Sequence, residues 1–361
     1  MSNSIKHNDS FLSSVGNVFP PPSFMSFPRA VFFVGPGIIR YLSIKSSSLI
    51  RGIQLFGSFP TQLSDVDDFS DEIRTTIKVV VGDFLARKGH KHSTLIFPEK
   101  DVYLFRVFLP KMKHSEIRSA VELRIEENIP VSAADVVFEF DIVHETERGI
   151  LVAVSAVPRR SLDRLVANVS DSGLLVVAVE TEARALARTF TGNGLSSSLI
   201  IFIGETDTVC VVASCGVALF SSTISLSSVL FRKALSETFS ISLEKADQFR
   251  DESVSAGHMS DSVVVAKLAP EIKILRDELS KIIEYWSVHA QAEGVPPVEK
   301  IILSGSNSSL PSFVQHVAAG FKIPVEVGNV WSMVAEQGGI IDISKTQSLD
   351  YAVLIGALIK R

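Results

Sequence analysis

Three short glycine turns hold whatever chemistry this chain could perform: Phe33-Val34-Gly35-Pro36-Gly37, Phe202-Ile203-Gly204-Glu205-Thr206-Asp207-Thr208, and Leu303-Ser304-Gly305-Ser306. A glycine turn between strands lets backbone N–H groups approach a phosphate, and hydroxyls such as those of Thr206, Thr208, Ser304 and Ser306 add donors. Taken singly, each is also an ordinary hairpin turn, which glycine serves by default. Their order says more. Two strand–turn–strand loops, followed by a strand running into a Gly/Ser turn, repeat one device in two halves of the chain and place a cleft between them.

Other constellations carry less. His90 and His92 flank Lys91 with no helix-spaced acid and no third ligand, so no metal site is expected there. Asp65, Asp67, Asp68, Asp71 and Glu72 would need a glycine at Ser70 and a glutamate at the twelfth position to make a calcium loop. They suit the first turn of the helix that follows, where acids complement the dipole. The serines form no Gly-x-Ser-x-Gly elbow, and no catalytic residue is assigned.

The elements that must position the turns read as follows. Residues 1–28 are Ser, Asn and Pro rich and read as a tail. A hairpin follows, Ala30–Val34 and Ile38–Leu42, with a third strand near Ile53–Phe56 and a helix over Ile73–Leu85. Residues 93–179 then show the order β-α-β-β-α-β and read as one inserted α+β subdomain, its first helix capped by Ser115 and stopped at Ile129-Pro130. Thr181 caps a helix over Glu182–Phe190, and Gly192-Asn193-Gly194 reads as a linker. A second strand-rich block, Ser198–Ser225, precedes helices over Leu226–Phe239, Ser242–Arg250 and Glu271–Ala292. In the last of these, Ile272, Leu275, Leu279, Ile282 and Trp286 share one stripe. The chain closes on an apolar helix, Tyr351–Lys360. Residues 29–192 with 345–361 are expected to form a first lobe, and 193–344 a second.

Composition bounds the function. Hydrophobic residues make up 46% of the 361, and the mean hydropathy is +0.30. The longest uncharged stretch, Thr208–Phe231, is long enough for a membrane span. Its serines, its glycine and the β-branched Val209, Val211 and Val212 read instead as a hairpin turning at Cys215-Gly216. A net charge of −5 argues against a nucleic-acid footprint. Two cysteines suit neither a disulfide framework nor zinc. With no signal-like h-region at the N-terminus, a cytoplasmic protein is expected.

The chain resembles the PilM family of type IV pilus assembly proteins from Phe19 onward. The likeness rests on Phe19-Pro20-Pro21-Pro22, Leu109-Pro110, Glu126-Glu127-Asn128-Ile129-Pro130 and Val152–Pro158. It continues through Gly173-Leu174, Val179–Leu186, Ile241–Ala246, Leu303-Ser304-Gly305 and Ile355–Leu358. The resemblance implies a two-lobed actin-like α/β fold with an inserted subdomain. It also implies a cytoplasmic place at the inner face of the membrane, and a partner that is the tail of a PilN-like bitopic protein, with pilus motor ATPases as further contacts. A weak ATPase, or a cell-division tether of the FtsA type, are the alternatives. Such tethers end in an amphipathic membrane helix, whereas Tyr351–Arg361 reads as core.

The resemblance also implies a nucleotide site at Gly35, Gly37, Gly204, Thr206, Thr208, Ser304, Gly305 and Ser306. Glu278 and Lys281 match positions near the ribose, although an exposed helical salt bridge is an equal reading of that pair. The family's aspartates in the first two turns are replaced by Phe33 and Phe202, and its Gly-Gly by Gly305-Ser306. Magnesium needs oxygen ligands that a phenyl ring lacks. Glu205 and Asp207 lie beyond the turn rather than before it and read as turn residues. No ATP or magnesium is therefore expected to be held productively. Restoring both aspartates is expected to restore binding if the hinge positions alone are at fault.

Overall fold

The computed structural model describes residues 29–44, 53–87, 90–192, 196–256, 262–331 and 343–359. The proposed tail over 1–28, Asn193-Gly194 of the linker, and Lys360 lie outside them. Two five-stranded sheets dominate. The first is ordered β3-β2-β1-β4-β8, from β1 (Arg29–Gly35), β2 (Ile38–Ile44), β3 (Ile53–Pro60), β4 (His92–Phe97) and β8 (Leu175–Thr181). The second is ordered β11-β10-β9-β12-β13, from β9 (Ser197–Ile203), β10 (Thr208–Ser214), β11 (Val217–Ile224), β12 (Val298–Ser304) and β13 (Val325–Val327). Each sheet is an antiparallel triplet followed by two parallel strands, so the two halves share one topology. The uncharged stretch is strand, turn and strand over Thr208–Ile224 and then enters a helix at Ser228, with Cys215 and Gly216 at φ 51 and 70 in the tight turn. Among the described residues no helix is long and apolar enough to cross a membrane.

The inserted unit is smaller than the local pattern suggested. β4 and β8 pair in parallel with β1 and with each other, and they belong to the large sheet. Parallel strands need a long crossover, and here the crossover is the insertion itself. Its sheet has three antiparallel strands in the order β5-β7-β6: β5 (Tyr103–Leu109), β6 (Val136–Thr146) and β7 (Gly149–Pro158). Ile117 and Val121 of α2 (His114–Glu122) pack on Val107, Ile150 and Val152. The expected single helix from Ser115 is broken at Leu123, and α3 (Ile125–Asn128) forms a separate turn. Ser115 is inside α2. The cap position is Lys113, whose N–H donates to Glu116 at 3.1 Å. Arg106 of β5 latches this small sheet to the second half, donating to Leu219 O at 2.6 Å and to Glu293 at 3.0 Å, with its guanidinium 4.8 Å from the Trp286 ring centre.

The remaining helices cover the sheets. α1 (Asp71–Ala86), capped by Ser70, and α4 (Arg159–Ser170) pack on the first. α6 (Ser228–Phe239), α7 (Leu243–Ala256), α8 (Ser262–Lys267), α9 (Ala269–Glu293) and α10 (Pro311–Ala318) belong to the second half. Between the sheets lie α5 (Glu182–Phe190) and, after the short α11 (Lys345–Ser348), the C-terminal α12 (Ala352–Leu358). α12 packs on α5 and on β1, β2 and β4. Their core joins Val31 and Ile96 of the first sheet to Ile200 and Val211 of the second. The helices cross at Gly356, where a Cβ would sit 1.9 Å from Ala185 O and 2.5 Å from Thr189 Oγ1. Thr189 Oγ1 donates to Ala352 O at 2.8 Å, and Arg188 Nε to Gly356 O at 3.0 Å. A single added methyl has no space here. Gly356→Ala is expected to destabilise the protein by roughly 1–3 kcal/mol, measured by urea unfolding, and unchanged stability would show that the helices can move apart.

Candidate functional site

The two hairpin turns meet across the gap between the halves. A Cβ on Gly37 would lie 2.9 Å from Glu205 Cγ and 3.1 Å from Thr206 Cγ2. Between them is a cavity of about 20 Å³, lined by Phe33, Arg40, Glu182, Phe202 and Asp207 among others. That is room for about one water. Phe202 is buried within the core shared by the two sheets, and Phe33 packs against the same core. The Phe33 ring folds back over its own turn, so that a Cβ on Gly35 would come within 2.3 Å of the ring.

The donors that could cradle a phosphate are engaged by the protein itself. Gly37 N–H donates to Leu63 O at 2.9 Å, Gly204 N–H to Asp207 O at 2.9 Å, and Gly305 N–H to Leu349 O at 3.3 Å. Ser304 Oγ donates to the same Leu349 carbonyl at 3.1 Å, and Thr208 Oγ1 to Leu226 O at 2.7 Å. Thr206 Oγ1 donates to Asp207 Oδ2 at 3.4 Å. Gly305 sits at φ 92, with Ile203 O only 2.4 Å from where a Cβ would be, so a strand-packing constraint alone requires a glycine there. Ser306 opens a short 3₁₀ turn, Ser306–Ser309.

Glu278 and Lys281 are not brought to this cleft. They pair with each other at 2.6 Å on an exposed face of α9, and neither lines the cavities between the halves. The i,i+3 salt bridge is the reading the structure supports. Lys281 looks to solvent, and Glu278 lies half-buried beside the helix's buried stripe.

The structure instead gathers residues that the sequence reading passed over. A second cavity of about 210 Å³ lies between β2 and β3 on one side and α6 and α7 on the other. Arg232 of α6 forms a two-point ion pair with Glu205 and reaches Asp247 of α7 at 3.4 Å. Arg250 of α7 is almost wholly buried. It binds Asp247 at 2.8 Å, Asp251 at 2.9 Å and Asn307 Oδ1 at 3.1 Å. Asn307 in turn donates to Ser228 Oγ at 3.1 Å. From the first sheet, Arg40 stands opposite Phe33 in the ladder and faces Asp350 at 3.7 Å, its buried Nε without a hydrogen bond. A charged residue inside the apolar strand Ile38-Ile39-Arg40-Tyr41-Leu42 was the signal for it. Burial disfavours the charge on Arg232, but the hydrogen bonds and negative charges of Glu205 and Asp247 together outweigh this and hold its pKa above the usual range.

Two further acids sit under the first cavity. Glu182 opens α5, and its Oε2 accepts from Glu99 N–H at 2.8 Å; Glu99 Oε2 accepts from Ala183 N–H at 2.9 Å. Both are almost fully buried. Burial pushes Glu99 up to about 7 and, with Asp207 adding repulsion, Glu182 up to about 8. Burial likewise raises Asp207, eased by Thr206. Among the described residues no group of acids, histidines and cysteines has the arrangement to hold a metal ion.

A profile of the type IV pilus assembly protein PilM matches residues 61–360. The chain belongs to the PilM family. A solved PilM–PilN type IV pilus biogenesis complex is 17% identical over 92% of this chain and 97% of its own, with a TM-score of 0.70. The ethanolamine utilization protein EutJ from Carboxydothermus hydrogenoformans is 12% identical over 97% and 98%, with a TM-score of 0.52. At such identities the likeness speaks for the fold, which is the two-lobed actin-like one. Comparison with curated proteins gives no significant match. Within this PilM-family fold, the arginines around the larger cavity are neutralised by the chain's own acids. Arg232→Ala is expected to cost on the order of 2–3 kcal/mol, as loss of a charge-assisted hydrogen bond with its partner left behind. Thermal and urea unfolding measure this, and Glu205→Gln in the Arg232→Ala background should recover part of the loss.

Proposed function

We propose that this protein is a cytoplasmic scaffold of the type IV pilus assembly platform, peripheral to the inner membrane, whose lobes are held together by its own side chains rather than by a nucleotide. Family membership supports the pilus role. The observation that carries the rest is the engagement of Gly37, Gly204 and Gly305 N–H with carbonyls of the chain itself. A phosphate entering here would have to break bonds already made and enlarge a water-sized cavity. Phenyl rings at both hinge positions add no ligand for magnesium.

Calorimetric titration with ATP, with and without magnesium, is expected to give no magnesium-dependent binding. The closed turns also change the expectation for Phe33→Asp with Phe202→Asp. Carboxylates alone leave the donors engaged, so the double variant is expected to stay silent as well. Submicromolar, magnesium-dependent binding by the wild type would sink the pseudo-ATPase reading.

The partner in this reading is the short cytoplasmic tail of a PilN-like bitopic protein, the kind of subunit named in the related complex. We assign its docking strand to β8. An extended tail can add to an open sheet edge through main-chain hydrogen bonds, and β8 is an edge strand with Leu175 and Val177 exposed. Three of the other edges fit less well. Along β6, Arg118 covers Phe138 O and Glu139 Oε1 covers Phe140 N–H; β5 is latched to the second lobe through Arg106, and β13 has three residues. Val177→Lys should weaken capture of the cognate tail peptide at least tenfold without changing the unfolding midpoint. Equal capture by wild type and variant would move the tail elsewhere. In this reading the scaffold also passes its conformational state to the pilus motor ATPases.

A further inference from the structure

The reciprocal pair Glu99–Glu182 is used by nothing described so far. Each carboxyl accepts the backbone N–H at the start of the other's element: Glu182 caps the 3₁₀ turn Glu99–Asp101, and Glu99 caps α5. Neither has a cation as hydrogen-bond partner. Glu99 Oε1 is buried and has no hydrogen bond of its own, while the Ser221 hydroxyl of β11 faces the same carboxyl from the second lobe. Glu180 of β8 adds repulsion to Glu99, though it is itself tied to Arg184 and Arg188. Glu182 lines the small interlobe cavity, facing Asp207 in the β9–β10 turn of the second lobe and Arg40 of β2. Lys100, Asp101 and Asp65 complete the charged groups at that cavity.

We propose that Glu99 and Glu182 form a proton-dependent clasp, which holds the two lobes closed while the pair carries protons and lets them part when both ionise. The Ser221 hydroxyl across the lobe boundary donates to ionised Glu99 and favours it, and it can turn to accept once Oε1 carries a proton, so that bridge serves both states and ionisation acts through repulsion. Without that proton, two carboxylates of the first lobe repel each other, and one of them, Glu182, faces Asp207 of the second. The cations that bear on these acids are Arg40, shared with Asp350, and Lys100, which eases Asp207 rather than the glutamate pair. In a desolvated setting that imbalance is far more costly than at a surface. The N-terminal end of α5 favours an anion, but a helix of nine residues does not offset a second and third like charge. Opening admits water to all three.

The direction follows from linkage. Both folded-state values lie above those of the unfolded chain, so the closed form retains protons that an open or unfolded form has released. The stability this contributes is complete below about pH 4 and is lost as pH rises through about 7 and about 8. Once both groups ionise on opening, the opening constant rises about tenfold per pH unit for each proton released.

The test uses the full chain at a series of values from about pH 6 to about pH 9. Small-angle X-ray scattering is expected to show a radius of gyration that grows with pH in the wild type and stays constant in Glu99→Gln with Glu182→Gln. An invariant wild-type radius, or identical growth in both proteins, overturns the clasp. Infrared titration of the wild type keeps the question decidable if the double variant fails to fold. A protonated-carboxyl stretch present near neutral pH and lost on raising it is expected, and its absence at about pH 6 overturns the proposal.

Discussion

The crossing of α5 and α12 at Gly356 is the contact on which the rest of the molecule depends. Two sheets, each with an apolar inner face, could pack directly, but here two short helices lie between them and belong to both cores. They fit because Gly356 lets the backbones touch, and Thr189 and Arg188 secure the approach by hydrogen bonds to α12 carbonyls. Close backbone packing of this kind has few intermediate positions, since a rise of one methyl in thickness is felt throughout a dense core. In the closed form the halves therefore meet at a distance set by this crossing, and the two hairpin turns, one from each, are pressed together. The small volume of the first cavity is a consequence of that geometry as much as of the side chains that line it.

A cleft built this way must satisfy its own polar groups. Backbone donors left bare beside buried phenyl rings would each cost about 1–3 kcal/mol, so the chain supplies carbonyls from Leu63, Asp207 and Leu349. The arginines follow the same rule. Arg232 and Arg250 are enclosed by Glu205, Asp247 and Asp251, and an excess of cation that could draw an anionic ligand is absent from this group. The pair Glu99–Glu182 is the exception. It has acceptors in surplus and no cation of its own, which is why protons are the species it calls for.

Much of the architecture was legible because the signals are local. Gly35-Pro36-Gly37, the Gly204 turn and Cys215-Gly216 each fall between β-branched runs, and a hairpin needs only its own residues to be recognised. The apolar C-terminal helix with Gly356 inside it was readable for the same reason. The inserted unit was misjudged because β4 and β8 find their partners in parallel, across a long crossover, and nothing in either strand states which neighbour it will have. Glu278 and Lys281 stayed open between two readings for a different reason: helical spacing shows which positions share a face, but not which way that face looks once α9 settles on its sheet. Arg40, Glu99 and Glu182 were the hardest to see. Their importance comes from burial, and burial of a charged residue is decided by distant elements.

The same elements join the outer surface to the clasp. β8 is an edge strand, and it runs without a loop into α5 at Thr181, the residue that caps the helix through Arg184 N–H. The next residue is Glu182. A chain added to β8 would stiffen the strand that sets where α5 begins, within a few residues of both carboxyls and of the crossing with α12. Whatever free energy such docking contributes toward the closed clasp, closure must return to docking, because the coupling between two equilibria is reciprocal. A tail that binds the closed lobes better would raise the proton affinity of the pair, and a change in protonation would alter affinity for the tail by the same factor. The lobes would then report on occupancy of β8.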